Sequence, residues 1–119
     1  MKFKLALWLL GRKLVKKAKK DPEFKKKASE KNCTVQIKTA DNSIGRYYTF
    51  NNGEIVSTKG IATNPTVALV WKDGATFFSV IQADDPGAKR VEALQNGSLK
   101  LEGDGGTAIW FADVSKQAK

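Results

Sequence analysis

The chain contains no histidine and a single cysteine, Cys33, among its 119 residues. These two scarcities exclude a disulfide within the chain, a zinc site built from several cysteines, an imidazole-centred triad and a Cys/His nucleophile pair. Acid–base work near neutral pH would fall to a strongly shifted Asp, Glu, Lys or Tyr, so no catalytic activity, cofactor or metal is expected. Long apolar runs are missing too. Leu5 to Leu10 gives six apolar residues in a row, far short of the roughly 20 that span a bilayer. With Lys2 and Lys4 ahead of it, this run imitates a signal peptide, but basic residues from Arg12 to Lys20 stand where a small-residue cleavage site belongs. The ending Gln117-Ala118-Lys119 is neither a prenylation box nor an organelle address, and the glycine needed for myristoylation is absent. A cytoplasmic protein is the expectation.

What is present points to one folded domain. Hydrophobic residues make up 41% and charged residues 28% of the chain, which is the globular average and not the signature of disorder. The formal charge of +9 is divided very unevenly. Residues 1–31 hold eleven lysines and Arg12 against Asp21, Glu23 and Glu30, whereas residues 32–119 hold nine charges of each sign. The expected organisation is therefore a basic helical arm over 1–31 and a neutral domain over 32–119, with any anionic partner meeting the arm.

Phe3, Leu7, Leu10, Leu14 and Ala18 follow the spacing that lines one helical face and predict an amphipathic helix over residues 2–20. Leu5, Trp8 and Leu9 widen the apolar surface near its start, and a lysine face follows. Asp21-Pro22-Glu23 predicts a restart, with an N-cap acid, a proline at the first helical position and an acid at the positive end of the dipole. From Cys33 the period falls to two, which predicts a strand and then a meander through residues 44–50 and 54–59. A fourth strand over 66–72 leads through Asp73 to a helix with Phe77, Phe78 and Ile81. Asp85-Pro86 opens another helix, ended by Asn96-Gly97. A fifth strand over 98–102 precedes a final helix from Asp104.

Several patterns invite chemistry and lose to simpler readings. Gly103 to Ala108 matches G-x-G-x-x-A between a strand and a helix, yet only eleven residues follow it, and Asp104 would put a carboxylate where a phosphate must sit. A capped turn is the better reading. Asp84-Asp85 beside Pro86 reads as a solvated helix cap and not as an acid/base pair. Cys33 reads as a small buried residue. Tyr47, Tyr48 and Phe50 resemble a base-stacking platform, but Arg46 is the only positive charge on that strand, so core packing is favoured. The apolar set Trp71, Phe77, Phe78, Ile81, Val91, Leu94, Ile109 and Trp110 fits either an ordinary core or a cavity lining, because periodicity does not separate the two.

The stretch from Phe50 to the end resembles the sterol carrier protein 2 family of lipid-binding domains. The likeness is carried by the Phe50-Asn51-Asn52-Gly53 turn, by Val67-Ala68-Leu69-Val70 running into Asp73 and Phe77-Phe78, and by Asp85-Pro86. Most specific is the run Leu94-Gln95-Asn96-Gly97-Ser98-Leu99-Lys100-Leu101-Glu102-Gly103-Asp104. Together these cover about 70 of the 119 residues. The resemblance implies an α+β fold with a five-stranded, mainly antiparallel sheet covered on one face by helices, to which this chain adds the N-terminal basic helix. It also implies an apolar tunnel for an acyl-chain, sterol-like or isoprenoid lipid. Carried over by position, its lining would be Trp71, Phe77, Phe78, Ile81, Val91, Leu94, Leu101, Ile109 and Trp110. The final helix departs from the family pattern: bulky Ile109, Trp110 and Phe111 follow Gly105, Gly106 and Thr107, an arrangement that narrows or fills a tunnel.

The expected function is a non-catalytic lipid carrier at a membrane surface. Phe3, Leu5, Leu7, Trp8, Leu9, Arg12, Lys13, Lys16 and Lys17 would meet anionic lipid, and a lipid-modifying enzyme is a candidate partner. Two rivals are a nucleic-acid-binding module using the basic arm and a filled-core domain docking a protein through Leu5, Trp8 and Leu9. Apolar residues ahead of the lysines argue against a phosphate backbone, so nucleic acid is disfavoured.

Overall fold

The local signals for each element act as the sequence predicts. In the computed structural model, which describes residues 2–118, the order is α1 (Lys2–Lys20), α2 (Pro22–Ala28), β1 (Cys33–Thr39), β2 (Gly45–Asn51), β3 (Glu54–Lys59), β4 (Val67–Trp71), α3 (Gly74–Ile81), α4 (Pro86–Asn96), β5 (Leu99–Gly103) and α5 (Gly105–Ala118). Lys119, the last residue of the ending read above for sorting signals, lies outside the described residues. The Asp21 carboxylate accepts from the Glu23 and Phe24 amides at 3.0 and 3.3 Å. Asp73 accepts from the Thr76 amide and hydroxyl, both at 2.8 Å, and Asp85 from the Ala88 amide at 3.1 Å. Each cap satisfies an amide that the first helical turn leaves orphaned. Gly97 ends α4 at φ 84°, in the left-handed region that glycine enters without a Cβ penalty.

The strands form one sheet in the order β3-β2-β1-β4-β5. Three of its four pairings are antiparallel, and β1 with β4 is parallel. Register sets Val35 opposite both Tyr48 and Val67, Phe50 opposite Ile55 and Trp71 opposite Leu99. Alternation therefore places these side chains on one face, where they share a single buried cluster with residues of all five helices.

The parallel pairing forces the segment from β3 to β4 to cross β2 and β1, and buried Gln36 fastens it on the face away from the helices. Its Nε2 donates to the Arg46 and Gly60 carbonyls at 3.2 and 3.0 Å, and its Oε1 accepts from the Ala62 amide at 2.6 Å. A polar side chain is tolerated there because its groups are paired.

Packing shows no break between 1–31 and 32–119. Phe3, Leu7, Leu14 and Ala18 are buried in the same cluster as Val35, Ile37 and Tyr48. The Tyr48 hydroxyl donates to the Leu7 carbonyl at 2.7 Å. A Cβ on Gly11 would overlap the Ser57 side chain, so glycine is what lets α1 approach the sheet. Further ties run to α5, where Lys17 Nζ donates to the Gln117 carbonyl at 2.6 Å and Lys27 pairs with Asp113 at 3.0 Å. The arm expected from the charge division is a structural layer of the domain, because its apolar stripe has the sheet to cover.

Candidate functional site

The helices close the two sides of the sheet to different extents. Over β1 and β2, Phe111 of α5 stacks on Tyr48 with ring centroids 5.7 Å apart, while Trp110 meets Phe50 edge-on at 4.9 Å. Trp110 Nε1 donates to Glu30 Oε1 at 3.1 Å. Burial pushes the Tyr48 hydroxyl well above its usual range. This side is filled by side chains.

Where α3 and α4 meet β5 the cover is less complete. Trp71 is buried, and Phe77 packs edge-on against it at 5.3 Å and against Phe3 at 4.8 Å. Phe78 is half-buried beside Phe77. Outward from these rings, Ile81 (37% exposed), Leu101 (39%), Leu94 (42%) and Val91 (54%) leave much of their apolar area open. Helix α4 packs on β5 and on α3, and Leu101 pairs with half-buried Leu69 across the β4–β5 register. Phe77 thus joins Trp71 to Phe78, while Ile81, Val91, Leu94 and Leu101 keep apolar area exposed on α3, α4 and β5. Trp71 Nε1 is buried with no hydrogen-bond partner among the described residues. Such an unpaired donor costs on the order of 1–3 kcal/mol unless an acceptor arrives.

Two predicted lining positions lie elsewhere. Trp110 is held by Phe50 and Glu30 on the filled side, and Ile109 is 75% exposed on α5. Helical geometry separates consecutive residues by about 100°, so the pair does not share a face. Leu69, which the Val67-Leu69-Trp71 alternation puts on the helix-covered face, packs partly buried against the core.

The predicted membrane residues also divide. Phe3 and Leu7 are buried under the helix, and Lys17 is bonded to Gln117 and lies 5.8 Å from the Phe24 ring. The fold uses all three, which removes them from that set. Leu5, Trp8 and Leu9 are exposed, as are Arg12, Lys13 and Lys16. Leu5, Trp8, Leu9 and Arg12 form a second stripe on the outer face of α1, where the Arg12 guanidinium lies 5.3 Å from the Trp8 ring. Among the described residues, no helix is long and apolar enough to cross a membrane.

The residues set aside in the sequence have structural roles. Asp104 accepts from the Thr107 hydroxyl at the start of α5, which holds its carboxyl below the usual range. Gly103 has φ 108°, and a Cβ there would meet the Thr66 carbonyl. Cys33 is buried, and desolvation raises its thiol.

No family model and no curated protein matches the chain in sequence. Solved structures match it in fold. A protein described as "UbiJ-SCP2 Ubiquinone synthesis protein" superposes with a TM-score of 0.69 at 12% identity, covering 97% of this chain and 96% of that one. Sterol carrier protein 2 from Yarrowia lipolytica, in its apo form, gives 0.62 at 13% identity over 88% and 86%. A crystal structure of sterol carrier protein 2 gives 0.60 at 15% identity over 92% and 93%. The fold is that of the sterol carrier protein 2 domains, and the N-terminal basic helix is present in it.

Proposed function

We propose that the chain is a lipid-binding domain without chemistry of its own, holding the apolar chain of a fatty-acyl, sterol-like or isoprenoid lipid between α3, α4 and β5. The observations that carry this reading are the exposed apolar side chains of Ile81, Val91, Leu94 and Leu101 on α3, α4 and β5, and the buried unpaired donor of Trp71. Where such side chains form a contiguous patch of more than a few hundred Å², the patch marks a binding site. A carboxyl, carbonyl or hydroxyl oxygen on the ligand would satisfy the indole. The likeness to sterol carrier domains, and to a protein named for ubiquinone synthesis, supports the ligand class. Chemistry on the lipid then belongs to a separate lipid-modifying enzyme.

The reading extends to location. Leu5, Trp8 and Leu9, with Arg12, Lys13 and Lys16, would rest in the interface of an anionic membrane on the cytoplasmic side. An interfacial helix binds through buried apolar area plus about 1 kcal/mol per basic residue near the surface.

Organic-solvent extraction of gently purified protein, followed by mass spectrometry, should recover a stoichiometric lipid, and a fluorescent fatty acid should bind the wild type. Leu94→Asp should abolish that binding while leaving a folded protein, because Leu94 is already 42% exposed. Failure of the wild type to bind any such probe, or undiminished binding by Leu94→Asp, would overturn the reading.

A further inference from the structure

Two grooves flank α1 where it crosses β2 and β3, and they meet at Trp8 and Arg46. The first, about 470 Å³, places Arg12, Lys16 and Lys19 of α1 opposite Arg46 of β2, over an apolar wall that includes Val15 and Ile55. The second, about 410 Å³, adds Lys4 and Lys59. Six cations line the two grooves, and no Asp or Glu does. Among the described residues, none of the ion pairs uses one of the six, since those pairs involve Lys27 and Lys89 alone. Arg46 is half-buried beside the helix and is aimed by a 3.0 Å bond from Nη1 to Ser57 Oγ. Uncompensated like charges gathered in a concave, partly apolar setting repel one another until an anion joins them.

From this arrangement we infer that the first groove is a binding site for a phosphate-bearing amphiphile. The phosphate is gripped between Arg12 and Lys16 on one wall and Arg46 on the other, and the first methylenes of the chain lie on Val15 and Ile55. Arginine forks match phosphate oxygens, and the apolar wall separates a lipid phosphate from a free one. The site is distinct from the apolar region at α3, α4 and β5. It deepens the membrane reading of α1 by naming the headgroup chemistry, yet it is separable from that reading because Arg46 lies on the sheet and not on the outer face of the helix.

The test uses the full chain and octyl phosphate well below its micellar concentration, with no membrane present, followed by calorimetry. Saturable one-to-one binding is expected, with inorganic phosphate at least tenfold weaker. Arg46→Gln combined with Lys16→Gln should weaken octyl phosphate binding at least tenfold. Lys26→Gln combined with Lys100→Gln, which removes equal charge from exposed positions elsewhere, should change it less than twofold. If the Arg46 variant does not fold, Arg12→Gln with Lys16→Gln, both at exposed positions, takes its place. Equal losses in the two pairs would reduce the effect to net charge and overturn the site. Inorganic phosphate binding as tightly as the alkyl ester would overturn the lipid assignment, and so would absence of saturation. Failure of the full chain to sediment with anionic vesicles while it binds octyl phosphate would sink the membrane reading alone.

Discussion

The two halves of the helical layer sit on one sheet and are built from similar residues, but they end in different states. Where α1, α2 and α5 pack together, Phe24, Phe50, Trp110 and Phe111 reach full or nearly full burial. Helices α3 and α4, which share the cover of β4 and β5 with α5, bury only Val80 and Ala93 of their own residues and leave Ile81, Val91 and Leu94 open. The difference is not one of hydrophobicity, because α3 is almost wholly apolar. It lies in what faces each element. Phe111 and Trp110 of α5 meet the rings of Tyr48 and Phe50, and on α3 Phe77 likewise meets Trp71, whereas Ile81, Val91 and Leu94 have no such ring against them and stay exposed, as Leu101 does on β5. An apolar surface left open in this way is stability forgone, and binding is what would recover it.

The largest expected effect comes from removing α1. Phe3, Leu7 and Leu14 are each at most 2% exposed, and burial of one such side chain contributes roughly 1.5–3 kcal/mol. Together they rival the about 5–15 kcal/mol by which a domain of this kind is stable. A chain beginning at Asp21 should show no cooperative thermal transition by circular dichroism. A folded, cooperative shortened chain would return α1 to the status of an arm and erase half of the contrast.

Single truncations probe the two halves directly. Phe111→Ala should cost about 3–5 kcal/mol in urea unfolding, the range for a buried aromatic that leaves a cavity. Leu94→Ala should cost under about 1 kcal/mol, because much of that side chain is in water before the change. Phe77→Asp, by contrast, should unfold the protein, since its ring is wedged between Phe3 and Trp71. Comparable losses for Phe111→Ala and Leu94→Ala would mean that the open half is closed in solution.

Much of this fold was legible because its signals are local. Asp21, Asp73, Asp85 and Gly97 punctuate the helices where the sequence puts them, and the period-two strands keep their faces. The site was less legible because it depends on which element lies opposite. Nothing in Ile109-Trp110-Phe111 states that Trp110 turns toward Glu30 while Ile109 turns to solvent. The stripe of Phe3 and Leu7 was visible, but periodicity is silent on whether a membrane or a sheet covers it. The two grooves beside α1 needed Arg46 and Lys16, 30 positions apart, to be brought together by tertiary packing. Gly11, which lines the first groove, is a gap in an otherwise filled helical face.

That gap sets a smaller test of how tightly the filled half is closed. Gly11→Ala should destabilise by up to about 2 kcal/mol net. Overlap with Ser57 pushes the helix outward at a cost of about 1–3 kcal/mol, and the gain in helix propensity, roughly 1 kcal/mol, offsets part of it. Ser57→Gly in the same chain should restore part of the loss. Stabilisation by Gly11→Ala alone would show that α1 rides above the sheet with room to spare.

The smallest expected effect concerns the rim of the filled half, at the turn joining β1 to β2. The Asp41 carboxylate accepts from the Ser43 hydroxyl at 2.7 Å, the Thr39 hydroxyl at 2.8 Å and the Ser43 amide at 3.0 Å. These donors favour the charged form and pull its pKa down to about 2. A carboxylate whose folded pKa lies below its unfolded value, about 3.9, binds fewer protons folded than unfolded. Its contribution to stability is therefore complete above about pH 4 and disappears as the pH falls through about 2. Because the group is exposed, solvent screens the contribution and keeps it small. Carboxyl carbon shifts in an acid titration should place the Asp41 midpoint near 2, and Asp41→Asn should flatten the loss of stability between pH 4 and 2 without changing stability's slope above pH 5. A midpoint at the ordinary aspartate value would mean that the turn is not held by this carboxylate, and the order of the filled half would then stop at Thr39 and Ile44, short of the turn itself.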